Sequence, residues 1–143
     1  MVIEKLTHFD ADVLRDINRL MSELSVTSQT DEQLIREAVG DGNSHIYIIR
    51  DEERIIGCGA LCVMHTLEQR LASIEHIVVS EDYRGQGLGE MLMRRMLTDV
   101  RTLAPITLHL TSNSQRVAAN QLYRKLGFVK KDTNFYELKN LDD

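Results

Sequence analysis

The run of residues 77–90, IVVSEDYRGQGLGE, constrains the fold of this chain more than any other segment. An apolar strand candidate leads into a turn with glycines at positions 85, 87 and 89, and an amphipathic helix follows. Glycine allows positive φ angles and a close approach of the backbone to a ligand. The free N–H groups at the start of the helix, backed by the helix dipole, then face outward. The pattern predicts an anion site suited to phosphate or pyrophosphate.

Two familiar phosphate motifs do not fit this turn. A dinucleotide fingerprint beginning at Gly85 needs glycine at position 90, which is Glu90. The P-loop pattern G-x-x-x-x-G-K-[ST] is absent. Nucleotide-dependent regulation is therefore disfavoured. The remaining alternatives are another phosphate ligand and a glycine-rich helix start that binds nothing.

Hydrophobic periodicity predicts the element order β-α-α-β-β-β-α-β-α-β-β. The third long strand covers 70–80, the helix after the glycine turn covers 88–101, and the last two strands cover 128–131 and 134–138. The 143 residues contain no linker and no repeat, so we expect a single domain over residues 1–143.

Composition excludes several classes of protein. The net charge of −5 argues against nucleic-acid binding. No apolar run approaches the roughly 18 residues of a membrane span, and residues 1–5 do not resemble a signal peptide. Cys58 and Cys62 lie too far apart on one strand to form a disulfide, which favours a reducing, cytoplasmic location. The five histidines show no metal-binding spacing, so no metal is expected.

Charge is distributed unevenly along the chain. Residues 1–83 carry seven Lys/Arg and sixteen Asp/Glu, whereas residues 84–143 carry ten and six. This asymmetry is explained either by chance or by two ligands of opposite sign. In the second case the later residues hold an anionic ligand and a cationic ligand approaches the earlier ones.

Two signatures resemble one enzyme family. Arg84-x-x-Gly87-x-Gly89 resembles the Q/R-x-x-G-x-G/A signature of the GNAT superfamily of N-acetyltransferases. Residues 118–128 are similar to its second signature, in which an Asn and a Tyr on a helix precede Gly-Phe. Residues 74–79 also resemble a strand of glucosamine-6-phosphate N-acetyltransferases. The first 70 residues show no such match, although the element order agrees along nearly the whole chain.

The resemblance implies an α/β (α+β) fold, with a mixed, mostly antiparallel sheet of about seven strands and helices on both faces. It implies acetyl-coenzyme A as the acetyl donor, with no metal. The loop would bind the pyrophosphate, main-chain N–H groups of the preceding strand would face the thioester and pantetheine, and an asparagine would lie by the pantetheine. These residues are, in that order, Arg84, Gly85, Gln86, Gly87, Leu88 and Gly89; Ile77, Val78 and Val79; and Asn120.

Tyr123 is the candidate general acid. A phenol with a pKa near 10 is protonated at neutral pH and can protonate a leaving thiolate. Asn120 and Tyr123, three residues apart, share one helical face, and the resemblance places the Tyr123 hydroxyl near the coenzyme sulfur. The alternative is a tyrosine that only packs in the core.

Glu75 is the candidate general base, because a charged residue in an apolar strand needs a reason. Simple alternation would place Glu75, Ile77 and Val79 on one face. Glu75 could take a proton from the amine, directly or through water, or bind a cationic amine. The alternative is an ion pair with Arg54 or Arg70.

The function expected from these residues is acetyl transfer from acetyl-coenzyme A to a primary amine of a small molecule, by direct attack in a ternary complex. A protein N-terminus or lysine is the alternative acceptor, and a non-catalytic acyl-coenzyme A-binding regulator is the alternative class. We expect neither a nucleic acid nor a membrane as partner and leave a homodimer open. The sequence does not identify the acceptor.

Overall fold

A computed structural model describes residues 1–139 and 141. The chain divides into two compact units, Met1–Thr111, called here the sheet unit, and Ser112–Asp143, the C-terminal unit. In the part of the chain that is described, the longest helix has 14 residues, and no helix is long and apolar enough to cross a bilayer.

The sheet unit is built on five strands in sequential order. β1 (Val2–Lys5), β2 (Ser44–Asp51), β3 (Arg54–His65) and β4 (Arg70–Val79) pair antiparallel, and β5 (Thr107–Leu110) pairs parallel to β4. A hairpin joins β2 to β3. The sheet is therefore mixed and mostly antiparallel, as expected.

Helices cover both faces of this sheet. On one face, α1 (Ala11–Leu24) and α2 (Glu32–Gly40) bury an apolar stripe against strand residues that include Ile48 and Val78. Asp10 and Asp31 start these helices by accepting hydrogen bonds from main-chain N–H groups, each at 2.8 Å. On the other face, α3 (Leu88–Val100) packs its buried positions, which include Leu92 and Met96. The predicted fold class is confirmed.

The C-terminal unit contains one helix, α4 (Val117–Lys125). Gly127, with φ of +99°, follows it, and the Phe128 N–H donates to the Tyr123 carbonyl at 3.0 Å. This end geometry is typical of helices that stop at a glycine.

The two strands predicted at 128–131 and 134–138 are not formed in the described residues, so the sheet has five strands rather than about seven. Four apolar side chains in these segments are 74–86% exposed. They are Val129, Phe135, Tyr136 and Leu138. The prediction was wrong because β propensity expresses how well a side chain packs on a half-buried pleated surface, which these residues do not have.

Candidate functional site

Strand β4 contains a bulge at His76. This residue has φ of +56°, and the pairing of β3 with β4 skips a residue between Cys58 and Ala60. A bulge adds one residue to one strand and changes which face the following side chains occupy. The alternation before His76 therefore does not continue after it.

The bulge places Glu75 and Ile77 on opposite faces of the sheet, so the simple alternation expected from the sequence is wrong. Glu75 lies opposite Ala60, which lies opposite Ile46, and Ile46 packs in the core below α1 and α2. Ile77 faces α3 instead. A Cβ added at Gly59 would lie 2.5 Å from Ile77 Cδ1 and 3.4 Å from Leu92 of α3.

Glu75 is half-buried and oriented by its neighbour two residues earlier. The Ser73 hydroxyl donates to Glu75 Oε1 at 2.6 Å. Glu75 forms no ion pair with another described residue, and Arg70 instead donates to the Leu103 carbonyl. The pairing of Glu75 with Arg70 or Arg54, expected as the alternative role, is thus not found. Its carboxylate remains available to a cationic ligand.

A gap opens beside the end of β4. β5 pairs only with residues 71–74 of β4, so residues 75–79 have no β5 partner. The Ser80 N–H donates to the Ile56 carbonyl of β3 at 2.8 Å. Since successive N–H groups of a strand point to opposite sides, the Val79 N–H points away from β3 into the gap. The same alternation turns the Val78 N–H towards β3, which favours Ile77 and Val79 as outward donors.

The glycine loop joins this gap to α3. Gly85 and Gly87 have φ of +79° and +77°, a region that L side chains rarely adopt. A Cβ at either position would meet no atom within 4 Å, so the space above the loop is open. Gly87 is the N-cap residue of α3, and no side chain caps the first turn. The loop thus presents open backbone at the positive end of a 13-residue helix.

Arg84 is held at the start of this loop by two contacts. Its Nε donates to the Val79 carbonyl at 3.0 Å, and its Nη2 lies 3.5 Å from Glu23 Oε1. Glu23 also accepts a hydrogen bond from the Glu81 N–H at 2.8 Å. These contacts fix the guanidinium beside the glycines while its side chain stays 51% exposed.

In the C-terminal unit, α4 carries Asn120 and Tyr123. The Asn120 amide donates to the carbonyls of Asn113 and Arg116 at 2.9 and 2.8 Å. The Tyr123 ring packs edge-on against Phe128, with centroids 6.2 Å apart. Burial raises the pKa of Tyr123, against the charge and hydrogen bond of Arg116, which lower it. The hydroxyl is therefore protonated at neutral pH.

The comparisons with known proteins agree with this geometry. Residues 42–130 match the model of the acetyltransferase (GNAT) domain family. The chain belongs to the GNAT family.

Two individual relatives of the chain are also named as acetyltransferases. The chain is 26% identical to N-acetyltransferase 8B of Homo sapiens over 80% of its length and 52% of the relative's. It is 26% identical to glucosamine 6-phosphate N-acetyltransferase 1 of Oryza sativa subsp. japonica over 85% of its length and 78% of the relative's. The chain thus spans about half the length of the human relative. The predicted class, an acyltransferase domain, is confirmed.

A solved structure shows the same fold. It is an aminoglycoside acetyltransferase from an uncultured soil metagenomic sample, in complex with trehalose, with a TM-score of 0.81 and 18% identity. The match covers 97% of this chain and 96% of that one.

The GNAT family uses acetyl-coenzyme A as acetyl donor, and the sheet unit fits a pyrophosphate group. The fit depends on the open space above Gly85 and Gly87, which any Cβ would occupy.

Two catalytic candidates lie in different units, with Glu75 on β4 and Tyr123 on α4. Among residues 1–139 and 141, no three His, Cys, Asp or Glu side chains are arranged to hold a metal ion.

Two residues near the predicted site were missed by the sequence analysis. Glu23, at the end of α1, contacts Arg84, and Ser73 contacts Glu75. The alternation of β4 could have identified Ser73, which lies two positions before Glu75 on the same face. No sequence signal points to Glu23, because its partner lies 61 positions later.

Proposed function

We propose that this domain transfers an acetyl group from acetyl-coenzyme A to a primary amine of a small molecule, by direct attack in a ternary complex. The observation that carries the proposal is the glycine loop: two positive-φ glycines with open space above them at an uncapped helix start. The end of β4, which pairs with β3 but has no β5 partner, lies directly before the loop. Membership of the GNAT family supports the same donor.

In this proposal the loop binds the pyrophosphate of the donor through the main chain of residues 85–89, with Arg84 beside it. Phosphate oxygens accept hydrogen bonds from N–H groups at a helix start, and the helix dipole adds favourable charge. The N–H groups of Ile77 and Val79 bind the pantetheine and stabilise negative charge on the thioester oxygen. Asn120 lies along the pantetheine, as the family resemblance implies.

Glu75 receives the acceptor. A half-buried carboxylate without a cationic partner attracts an ammonium group, and the Ser73 hydroxyl keeps it in one orientation. The amine must lose a proton before it attacks, and Glu75 takes this proton directly or through water. The sheet unit contains 11 Lys/Arg and 18 Asp/Glu, which favours approach of a cation.

Tyr123 supplies the proton that the leaving thiolate needs. Its raised pKa keeps the phenol protonated over the pH range in which amines are partly neutral. Overall, an N–C bond forms and the C–S bond breaks. The ammonium group loses one proton to Glu75 before attack and a second to solvent as the amide forms, while Tyr123 gives its proton to the sulfur and regains one from solvent.

The proposed acceptor class is based on the names of two similar proteins. The rice relative is named for glucosamine 6-phosphate and the metagenomic structure for aminoglycosides. Both names describe amines on sugar rings, so an aminosugar is the first acceptor to test.

Two experiments test the function in order. Coenzyme A should raise the melting temperature, because a ligand that binds only the folded state stabilises it. Acetyl transfer is then followed by thiol release with aminosugars, aminoglycosides, polyamines, amino acids and peptides. Stabilisation without transfer to any amine would support a binding module instead, and transfer to peptides alone would replace the small-molecule acceptor.

A further inference from the structure

A cavity of about 530 Å³ lies at the other end of α3, away from the glycine loop. Its walls come from the ends of β1, β3 and α3 and from the starts of β2 and β4, all in the sheet unit. Asp99 and Val100, in the last turn of α3, line it. A rise of 1.5 Å per residue separates this turn from Gly87 by about 18 Å.

Two cations line this cavity without an ion pair to another described residue, although the charge of Lys5 lowers the pKa of Asp99. Lys5 lies with its Nζ 5.7 Å from the centre of the Tyr47 ring. Among the described residues, Arg70 donates only to the Leu103 carbonyl. A cation that faces a cavity without a counter-ion leaves part of its attraction for anions unused.

Asp99 is the carboxylate among these lining residues, and its Oδ2 is already occupied by two hydrogen-bond donors. Asp99 Oδ2 accepts hydrogen bonds from the Tyr47 hydroxyl at 2.7 Å and from Arg95 Nε at 3.1 Å. Burial raises the pKa of Asp99, but these two hydrogen bonds and the charges of Arg95 and Lys5 outweigh it and hold the pKa below its usual value. Asp99 therefore does not compete for Lys5 or Arg70 through a direct contact.

Two imidazoles add donors to the same walls. His45 and His65 line the cavity together with Lys5 and Arg70. Burial lowers the pKa of His45, the charge of Lys5 lowers it further, and Asp99 and Asp41 oppose this. The charges of Lys5, Asp99 and Asp41 therefore all act on His45, and the effect of Lys5 is larger than that of either carboxylate.

Apolar residues form another part of the cavity lining. Leu61 and Val63 of β3 are at most 9% exposed, and Leu103 also lines the cavity. The combination of an apolar floor with a few convergent polar groups is typical of small-molecule sites, whose volumes are about 300–1,000 Å³.

We propose that this cavity is a second ligand site, separate from the acetyl-transfer site, and that it binds a small organic anion with a carboxylate or phosphate head and an apolar body. Lys5 and Arg70 bind the head, and Leu61 and Val63 contact the body. The sheet unit has seven more acidic than basic residues, so most of its surface repels anions. The two cations of the cavity therefore distinguish it from the rest of the unit.

Phenyl phosphate and benzoate are suitable probes, with benzyl alcohol as the neutral control and inorganic phosphate as the control without an apolar body. Binding is followed by NMR through the imidazole signals of His45 and His65 and by calorimetry, at fixed pH and salt. We expect both anions to shift these signals and benzyl alcohol and inorganic phosphate to bind at least about tenfold more weakly. Equal binding of benzyl alcohol, or no shift of either histidine, would overturn the proposal.

The variants Lys5→Gln and Arg70→Gln test the head-group contact. Each should weaken phenyl phosphate about tenfold, because a hydrogen bond to a charged group is lost. Arg54→Gln, which removes an exposed cation from the same unit outside the cavity, should bind like wild type. Equal affinity of all three variants for phenyl phosphate would overturn the proposal. If one variant does not fold, the comparison of the four probes on the wild-type protein still tests it.

The site is independent of the proposed transferase activity. Saturating coenzyme A should leave the affinity for phenyl phosphate unchanged, since the glycine loop lies at the opposite end of α3. Competition between the two ligands would show that phenyl phosphate occupies the coenzyme site and would overturn the proposal, whereas failure of coenzyme A to bind would affect only the proposed function.

Discussion

The two ends of α3 are proposed to bind anions by different means. At its start, Gly85 and Gly87 expose main-chain N–H groups, and Arg84 is the nearby cation. At its end, Lys5 and Arg70 face a cavity from strands that are far apart in sequence. A helix start is favourable for anions by its dipole, and a helix end is unfavourable. An anion site at the end of α3 therefore depends on side-chain cations, whereas at the start Arg84 only adds to the main-chain donors.

This difference explains why only one of the two was visible in the sequence. A main-chain site needs several glycines within a few residues, which form a local pattern. A side-chain site needs residues that the sheet register brings together. Lys5 and Arg70 are separated by 65 positions and share no motif.

Gly87→Asp should have the largest effect, because it adds a negative charge where the pyrophosphate is proposed to bind. We expect the affinity for coenzyme A to fall roughly 100-fold or more and the thermal shift to disappear. Titration calorimetry with coenzyme A measures this.

Gly87→Asn is the matched control, since Asn also tolerates φ of +77° but carries no charge. It should retain much more affinity than the Asp variant. Phenyl phosphate binding at the other end of α3 should persist in both. Equal coenzyme affinities in Gly87→Asp and wild type would show that the loop is not the phosphate site.

Tyr123→Phe should lower kcat by about 10² while coenzyme A affinity changes little. The ring and its packing on Phe128 remain, and only the proton is lost. Steady-state kinetics with the acceptor found in the screen give the number. Tyr136→Phe removes an 86% exposed hydroxyl from the same unit and should keep normal kcat. An unchanged kcat in Tyr123→Phe would assign the residue to packing.

Glu75→Gln should lower kcat/KM for amines about tenfold, with coenzyme A binding intact. Gln retains the hydrogen bond from Ser73 but lacks the charge that attracts and deprotonates the amine. The melting temperature and kcat/KM are measured on one preparation, with the exposed Glu68→Gln as charge control. A less stable variant with normal turnover per folded molecule would contradict a role in catalysis.

Tyr47→Phe should have a smaller effect than the changes at the proposed site: a loss of about 1–2 kcal/mol in the free energy of unfolding at pH 7, because its hydroxyl no longer donates to Asp99. The pKa of Asp99 is lowered in the folded state, so this stability is present above about pH 4 and is lost as the carboxylate protonates. The difference from wild type should therefore shrink below about pH 4, as chemical denaturation at several pH values would show.

Tyr83→Phe gives a comparison for this last change. Its hydroxyl donates to Asp51 at 2.6 Å, but Tyr83 is only half-buried, whereas Tyr47 is fully buried. We expect a smaller loss than for Tyr47→Phe. An equal loss in the two variants would indicate that burial of the Tyr47–Asp99 pair contributes nothing.

The strands, helices and glycine loop of the sheet unit were predictable because each depends on a local pattern. Apolar spacing identified β2, β3, β4, α1 and α3, and the glycines located the start of α3. Residues 128–138 were not predictable in the same way. A strand depends on a partner as much as on its own residues, and a single sequence does not supply the partner.

The sequence alone predicted the family, the position of the glycine loop and the residue types proposed for catalysis, because glycine φ preferences, helix dipoles and the unperturbed pKa values of side chains are local properties. Only the tertiary structure decided which face of the sheet Glu75 occupies. One extra residue at His76 reverses the alternation of side chains along β4, and no pattern in residues 74–79 predicts this bulge. The tertiary structure also decided that Arg84 meets Glu23 and that Lys5 and Arg70 share a cavity, since contacts across 61 and 65 positions follow from strand register and helix packing.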